Sequence, residues 1–325
     1  MTDFNPMHVI DDDLWARLCE MRASDPGAIL DHAQRRTRRA KLTLDGKLVI
    51  LAADHPARMV VDVSGEDGQM GNRRDYLARI LRVLQGSNVD GLMGTPDILE
   101  ELLALDALMV DSGAKSILDH RVLVGCMNRG GLSGAAFEMD DRFTAYDAAG
   151  LDAMKLDGGK LMVRLDMQDT RALDTLQACA QAVDGCNEVG LTAFLEAFLV
   201  HRTDTGYSVD RSPRALMQAV SVAAALGDSS LRTWLKLPYC EGYETVAGAT
   251  SLPILMLGGA ARDDRHAVLE EFAAGMKAGP NVRGCLVGRN VLYPGASDPA
   301  TMARAVVSIV HEGDDATSAM EKAHS

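Results

Sequence analysis

From Lys47 onward, short apolar runs alternate with longer stretches in which apolar residues recur at helical spacing. The runs LVILAADH (48–55), VDGLMGT (89–95), RVLVGCMN (121–128), LDAMKLD (151–157), LTAFLEAFLV (191–200), RTWLKLPY (232–239), PILMLGG (253–259) and RGCLVGR (283–289) predict strands. They are short, aliphatic and bounded by turn residues. Between them, Arg74–Leu84, Asp97–Met109, Thr170–Val183, Pro213–Leu226, Asp264–Ala278 and Pro299–His311 predict helices. Strands alternating with helices signal a parallel α/β architecture, and eight such units in about 270 residues are the count of a (β/α)₈ TIM barrel. A doubly wound dinucleotide fold would show a GxGxxG turn after its first strand, and none follows here. The expected organisation is an N-terminal helical extension, 1–46, and one barrel domain, 47–325.

The extension carries two helical patterns, Asp11–Arg22 and Pro26–Lys41. The second ends in the basic run Arg35, Arg36, Arg38, Arg39 and Lys41, which reads as a solvated helix face or a subunit contact.

Barrels gather their active residues at the C-terminal ends of the strands. By the predicted boundaries the first strand ends in Asp54 and His55, and the third in Asn128 and Arg129. The fourth carries Lys155 and ends in Asp157-Gly158-Gly159, the fifth carries Glu196 and the sixth Lys236. The seventh ends in Gly258-Gly259 and the eighth in Gly288-Arg289. An ammonium enclosed by Trp234, Leu235, Leu237 and Pro238 is costly to bury and tends to lose its proton. A neutral lysine can attack a carbonyl, a second lysine can hold it neutral or bind substrate oxygens, and a carboxylate can move protons. A lysine that snorkels to water or pairs structurally is the alternative. The glycine pairs after the last two strands let backbone approach a ligand closely, and Arg289 suits a phosphate.

Composition narrows the setting. The 325 residues are 47% hydrophobic, enough for a full core, with only 4% aromatics but 17 Met and 30 Gly, so small and flexible apolar residues are expected inside. A net charge of −13 argues against nucleic-acid or anionic-membrane partners. Six cysteines without CxxC or zinc-type spacing fit reduced core thiols. No apolar run approaches the ~20 residues of a membrane span, and the acidic N-terminus lacks signal-peptide character. A cytoplasmic protein without a metal or cofactor is the expectation.

The segments ILAADHPAR (50–58), DAMKLD (152–157), FLEAFLV (194–200), WLKLPY (234–239), LMLGGA (255–260) and VGRNVLY (287–293) together resemble the Schiff-base (class I) aldolase superfamily. That group includes the deoxyribose-phosphate, archaeal-type fructose-bisphosphate and tagatose-1,6-bisphosphate aldolases. The similarity runs from about Lys47 to His311, and FLEAFLV draws it toward the tagatose-bisphosphate and sulfofructose-phosphate branch. The resemblance implies a Schiff-base role for Lys236, proton transfer by Glu196, a substrate-side Lys155, and Asp54 on substrate hydroxyls. It also implies a phosphate cradle of Gly258, Gly259, Gly288 and Arg289; His55 and Asn128, from their places at strand ends, are candidate substrate contacts. His55 could equally be a hydrogen-bonded structural histidine. Phe198 stands where the archaeal-type enzymes place a tyrosine acid. The loop NRGGLSGAAFEMDD resembles its counterpart only loosely.

The implied activity is cleavage or formation of a C–C bond in a phosphorylated ketose or keto-acid, in sugar or inositol catabolism, by an enzyme expected to be a homo-oligomer. The alternatives are a transaldolase or thiolase using the same lysine, or a non-catalytic phosphosugar-binding barrel.

Overall fold

The computed structural model describes residues 4–63, 67–128, 131–204, 206–295 and 297–324. Its strands are β1 (Leu48–Ala53), β2 (Gly91–Gly94), β3 (Val122–Cys126), β4 (Gly158–Asp166), β5 (Thr192–Thr203), β6 (Gly206–Val209), β7 (Thr233–Pro238), β8 (Ile254–Leu257) and β9 (Val282–Val287). All but β6 pair in parallel in the ring β1–β2–β3–β4–β5–β7–β8–β9, which closes through β9 on β1. This is the expected (β/α)₈ barrel. β6 is an antiparallel return of an overlong β5, pairing Val200 with Val209 and Thr203 with Gly206.

The helices are α1 (Asp12–Ser24), α2 (Gly27–Arg35), α3 (Arg73–Gly86), α4 (Pro96–Asp111), α5 (Ala148–Ala153), α6 (Ala172–Glu188), α7 (Pro213–Ala223), α8 (Tyr243–Ala247), α9 (Arg265–Met276), α10 (Arg289–Leu292), α11 (Pro299–Val307) and α12 (Ala316–His324). Polar side chains start many of them. Asn72, Asp147, Ser212, Asp264 and Asp298 each accept a backbone N–H of the first helical turn.

Side chains alternate between two cores, as the strand period requires. Val49, Leu51 and Ala53 face the helices with Leu161, Val163, Leu195 and Leu235. Leu48, Ile50 and Ala52 fill the barrel interior with Met93, Val124, Phe194, Leu255 and Leu286. The interior-facing series along β1 runs Leu48, Ile50, Ala52 and then Asp54; along β5 it runs Phe194 and then Glu196. An apolar plug therefore supports a charged layer at the C-terminal mouth.

Two expectations are corrected here. LDAMKLD is not a strand: Leu151–Ala153 belongs to α5, and Lys155 sits in the turn after it with φ 54°. The fourth strand begins at Gly158, so Asp157, Gly158 and Gly159 open it instead of closing it. Nor is the basic run a free helix face, since α2 stops at Arg35. Arg36 donates to Asp157 and to the carbonyls of Arg121 and Lys155, Arg38 pairs with Asp157, and Arg39 pairs with Asp90. These partners lie at the N-terminal ends of β2, β3 and β4, so the run ties the extension to the floor of the barrel.

Candidate active site

Four ionisable side chains meet inside the mouth. Lys160 on β4 is fully buried; its Nζ donates to Asp54 Oδ2 at 3.1 Å and lies 2.7 Å from Glu196 Oε2. Lys236 on β7 places its Nζ 2.9 Å from the same Glu196 oxygen. Both ammonium groups thus converge on one carboxylate oxygen. The strand register builds the pair, because Glu196 and Lys236 are direct neighbours across β5 and β7.

Electrostatics separate the two lysines. Burial opposes charge on Lys160, but Asp54 and Glu196 outweigh it and raise its pKa. Burial dominates at Lys236, with repulsion from Lys160 adding to it, and the pull of Glu196 does not compensate, so its pKa is lowered. Glu196 would be pushed up by burial, yet Lys160 and Lys236 bring it down to about 2. Asp54 behaves alike: burial raises it, while Lys160 and Lys236 pull it well below the ordinary carboxylate value. The site thus holds two carboxylates, one firmly charged lysine, and one lysine biased toward the neutral amine that adds to a carbonyl.

His55 follows Asp54 directly, with Nδ1 3.8 Å from Asp54 Oδ1, too far for a hydrogen bond. Nδ1 is buried without a partner, and burial lowers the imidazole pKa to about 3, so the ring is neutral. Gly288 is the space His55 needs: a Cβ there would stand 2.7 Å from His55 Cε1 and 2.7 Å from the carbonyl oxygen of Ala52. Arg289 opens α10 beside them. Gly259 adopts φ +68°, and a Cβ on it would lie 3.7 Å from a guanidinium nitrogen of Arg211. Gly258 donates nothing conformationally special; its carbonyl accepts from Asn290 Nδ2 at 2.6 Å.

Asn128 is at the mouth, but its amide is committed to backbone. Nδ2 donates to the carbonyls of Asp141 and Met162, and Oδ1 accepts from Met162 N–H. It braces β3 and β4 and has no amide hydrogen left to offer a substrate. Lys155 is a correction: it precedes β4 at the opposite end of the barrel, where its carbonyl accepts from Arg36. Arg129 lies outside the described residues. Phe198 packs with Met139, Met162 and Val200 above the charged layer, an apolar wall on the overlong β5.

Three residues were missed from sequence. Lys160 takes the position given to Lys155, and the strand alternation Lys160-Met162-Arg164 could have located it. Arg58 follows Asp54 by one short turn, Pro56–Arg58. Asn290 clamps the loop after β8, donating to Gly258 and Ala260 and accepting from the N–H of Arg262. Its signal, the residue after Gly288-Arg289, was masked by the more conspicuous arginine.

Fold and site together define a (β/α)₈ barrel with two lysines around one carboxylate at its C-terminal mouth. Residues 46–308 match the family model described as Cgl0159-like, and the chain belongs to that family. The crystal structure of Cgl0159 from Corynebacterium glutamicum is similar over 94% of this chain and 99% of its own, with 37% identity and a TM-score of 0.87. An archaeal fructose 1,6-bisphosphate aldolase shares the fold at a TM-score of 0.59 and 18% identity, over 88% of this chain and all (100%) of that one. Among curated proteins, the 3-hydroxy-5-phosphonooxypentane-2,4-dione thiolase of Salmonella typhimurium is 26% identical over 187 residues, 54% of this chain. The match spans 61% of that relative's length.

Proposed function

We propose that this protein is a class I aldolase-type lyase that opens or closes a C–C bond in a phosphorylated ketose or keto-acid through a Schiff base on Lys236. The observation that carries this reading is the opposed tuning of two lysines around one carboxylate oxygen, with Lys236 the one driven toward neutrality.

In the cleavage direction the Lys236 amine adds to the substrate carbonyl, and loss of water leaves an iminium. Glu196, held ionised by Lys160, takes the proton of the hydroxyl two carbons from the iminium carbon. The electron pair of that O–H bond forms the aldehyde, and the pair of the breaking C–C bond moves into the iminium as an enamine. Glu196 returns the proton to the enamine carbon, and water releases the ketone and free lysine. Lys160 stays charged throughout. Asp54 and His55 receive substrate hydroxyls, and Arg289 a phosphate.

The thiolase name of the Salmonella relative supports a second reading, in which the same iminium forms but the acyl fragment passes to a thiol acceptor. The two are separated by one panel. Phosphorylated ketoses and diketones are incubated with borohydride, and adduct mass is read on Lys236, with and without coenzyme A during turnover. An adduct that persists in Lys236→Met refutes the Schiff-base assignment. Turnover strictly dependent on the thiol selects the second reading.

A further inference from the structure

Arg58 and Arg289 stand apart from the other charged groups at the mouth. Lys160, Lys236, Asp54 and Glu196 contact one another, and Arg164 pairs with Asp141. The two guanidiniums have no side-chain partner among the described residues, although the Nε of each is buried. Both side chains are half-buried, and a half-buried guanidinium without a partner is unfavourable unless one arrives from outside.

The chain brings the two arginines to one place. Arg58 ends the turn that leaves β1, and Arg289 leaves β9 after Gly288. β1 and β9 are paired neighbours, with Leu51 opposite Val287. The contacts that a Cβ on Gly288 would make, with the Ala52 carbonyl and the His55 ring, show how closely the two loops are packed. Both arginines therefore lie within electrostatic reach of His55 and of each other.

We propose that Arg58 and Arg289 form a two-guanidinium clamp for a phosphoryl dianion, with Arg58 as the residue that selects a phosphorylated over an unphosphorylated carbonyl substrate. The clamp deepens the aldolase reading, and its selection half rests on it. The local charges match: the two guanidiniums stand outside the lysine–carboxylate contacts and bring two positive charges to one place. A phosphoryl group supplies two negative charges and three acceptor oxygens to two rigid donor forks. A carboxylate would leave one guanidinium unmatched. Arg289 is disfavoured as a cation first by burial and next by Arg58, and a bound dianion relieves that repulsion.

Two measurements on the full chain test it. In the first, thermal stabilisation by inorganic phosphate and by acetate is titrated at constant ionic strength for wild type, Arg58→Ala, Arg58→Gln and Arg289→Ala. Phosphate, and not acetate, should stabilise the wild type, and each variant should need at least tenfold more phosphate for half of the effect. A wild-type phosphate response in both Arg58 variants overturns the clamp. In the second, borohydride trapping is titrated with dihydroxyacetone phosphate and with dihydroxyacetone. The preference for the phosphorylated ketone should fall tenfold or more in Arg58→Gln, and an unchanged preference overturns the selection role. If neither ketone labels the wild type while the phosphate response follows the arginines, the Schiff-base reading fails and the clamp stands. Arg58→Gln keeps the length of the turn's side chain, so folding losses in Arg58→Ala do not decide the outcome.

Discussion

Lys160 and Lys236 approach one oxygen of Glu196 from two strands, at 2.7 and 2.9 Å, yet their proton affinities are moved in opposite directions. The asymmetry comes from Asp54, which pairs with Lys160 at 3.1 Å and leaves Lys236 to share what remains. Lys160 in turn repels a proton from Lys236. Replacing Lys160 by Met removes that repulsion, so the Lys236 pKa should rise, and each unit of rise cuts the neutral amine at neutral pH about tenfold. The pH midpoint of borohydride-trapped labelling should move up in Lys160→Met and stay near wild type in Lys160→Arg. A midpoint that is unchanged or lower in Lys160→Met would contradict this account. The Met variant should also be less stable by about 3–5 kcal/mol, because Asp54 loses its buried partner.

Glu196→Gln pulls the other way. The amide cannot accept the substrate proton, so turnover should drop by about 10²–10⁴-fold, the usual scale for a lost general base. Lys236 loses its attracting carboxylate, so labelling should survive and its midpoint should shift to lower pH. Trapping lost together with turnover would mean that Glu196 serves the addition step and not C–C cleavage.

Why the fold was legible and part of the site was not follows from what each strand is asked to bury. β1, β5 and β7 place one charge in an aliphatic run, so Asp54, Glu196 and Lys236 stand out against their neighbours. β4 places Lys160, Arg164 and Asp166 on one face of a strand that is buried along its whole length, and so much charge disguises a central strand. The apolar residues of α5 and its turn imitated a strand just upstream. The ion pairs of Arg36, Arg38 and Arg39 join residues about 50 to 120 positions apart, a distance over which periodicity carries no information. Arg58 was invisible because its distinction is the absence of a side-chain partner among the described residues, which only three-dimensional neighbours reveal.

The shift from Lys155 to Lys160 gives a direct contrast. Lys155 lies at the barrel floor and engages Arg36 through its carbonyl, so Lys155→Ala should keep turnover within about twofold, as surface changes away from special features do. A loss from Lys155→Ala comparable to that from Lys160→Met would place the active end of the barrel at the wrong face.

The glycines at the mouth should differ in tolerance. A Cβ on Gly258 would meet its nearest atoms at 3.5 Å, ordinary contact, so Gly258→Ala should change stability by less than about 0.5 kcal/mol. A Cβ on Gly288 would strike the rigid Ala52 carbonyl at 2.7 Å. Gly288→Ala should therefore cost about 1–3 kcal/mol, the scale of overpacking. Chemical denaturation of the two variants checks the order, and equal stabilities would show that the β1 and β9 loops yield.

Far from the site, His311 fastens the C-terminal segment to the barrel floor, with Nδ1 2.8 Å from Asp45 and Nε2 2.9 Å from Asp90. The hydrogen bond to Asp90 is the largest influence on the imidazole and, against the cost of burial, raises its pKa above 6.5. A raised folded-state pKa means that this contribution is complete below the unfolded value near 6.5 and fades as pH climbs through the folded one. With both ring nitrogens donating only in the imidazolium, the bond to the more buried Asp90 is worth about 1.5 kcal/mol or more in acid. Melting temperatures of wild type and His311→Gln, compared from pH 5.5 to pH 9, should differ most at the acidic end and converge toward the alkaline end. A gap that widens with pH would reverse the sign of the linkage and show that the neutral ring holds the floor together.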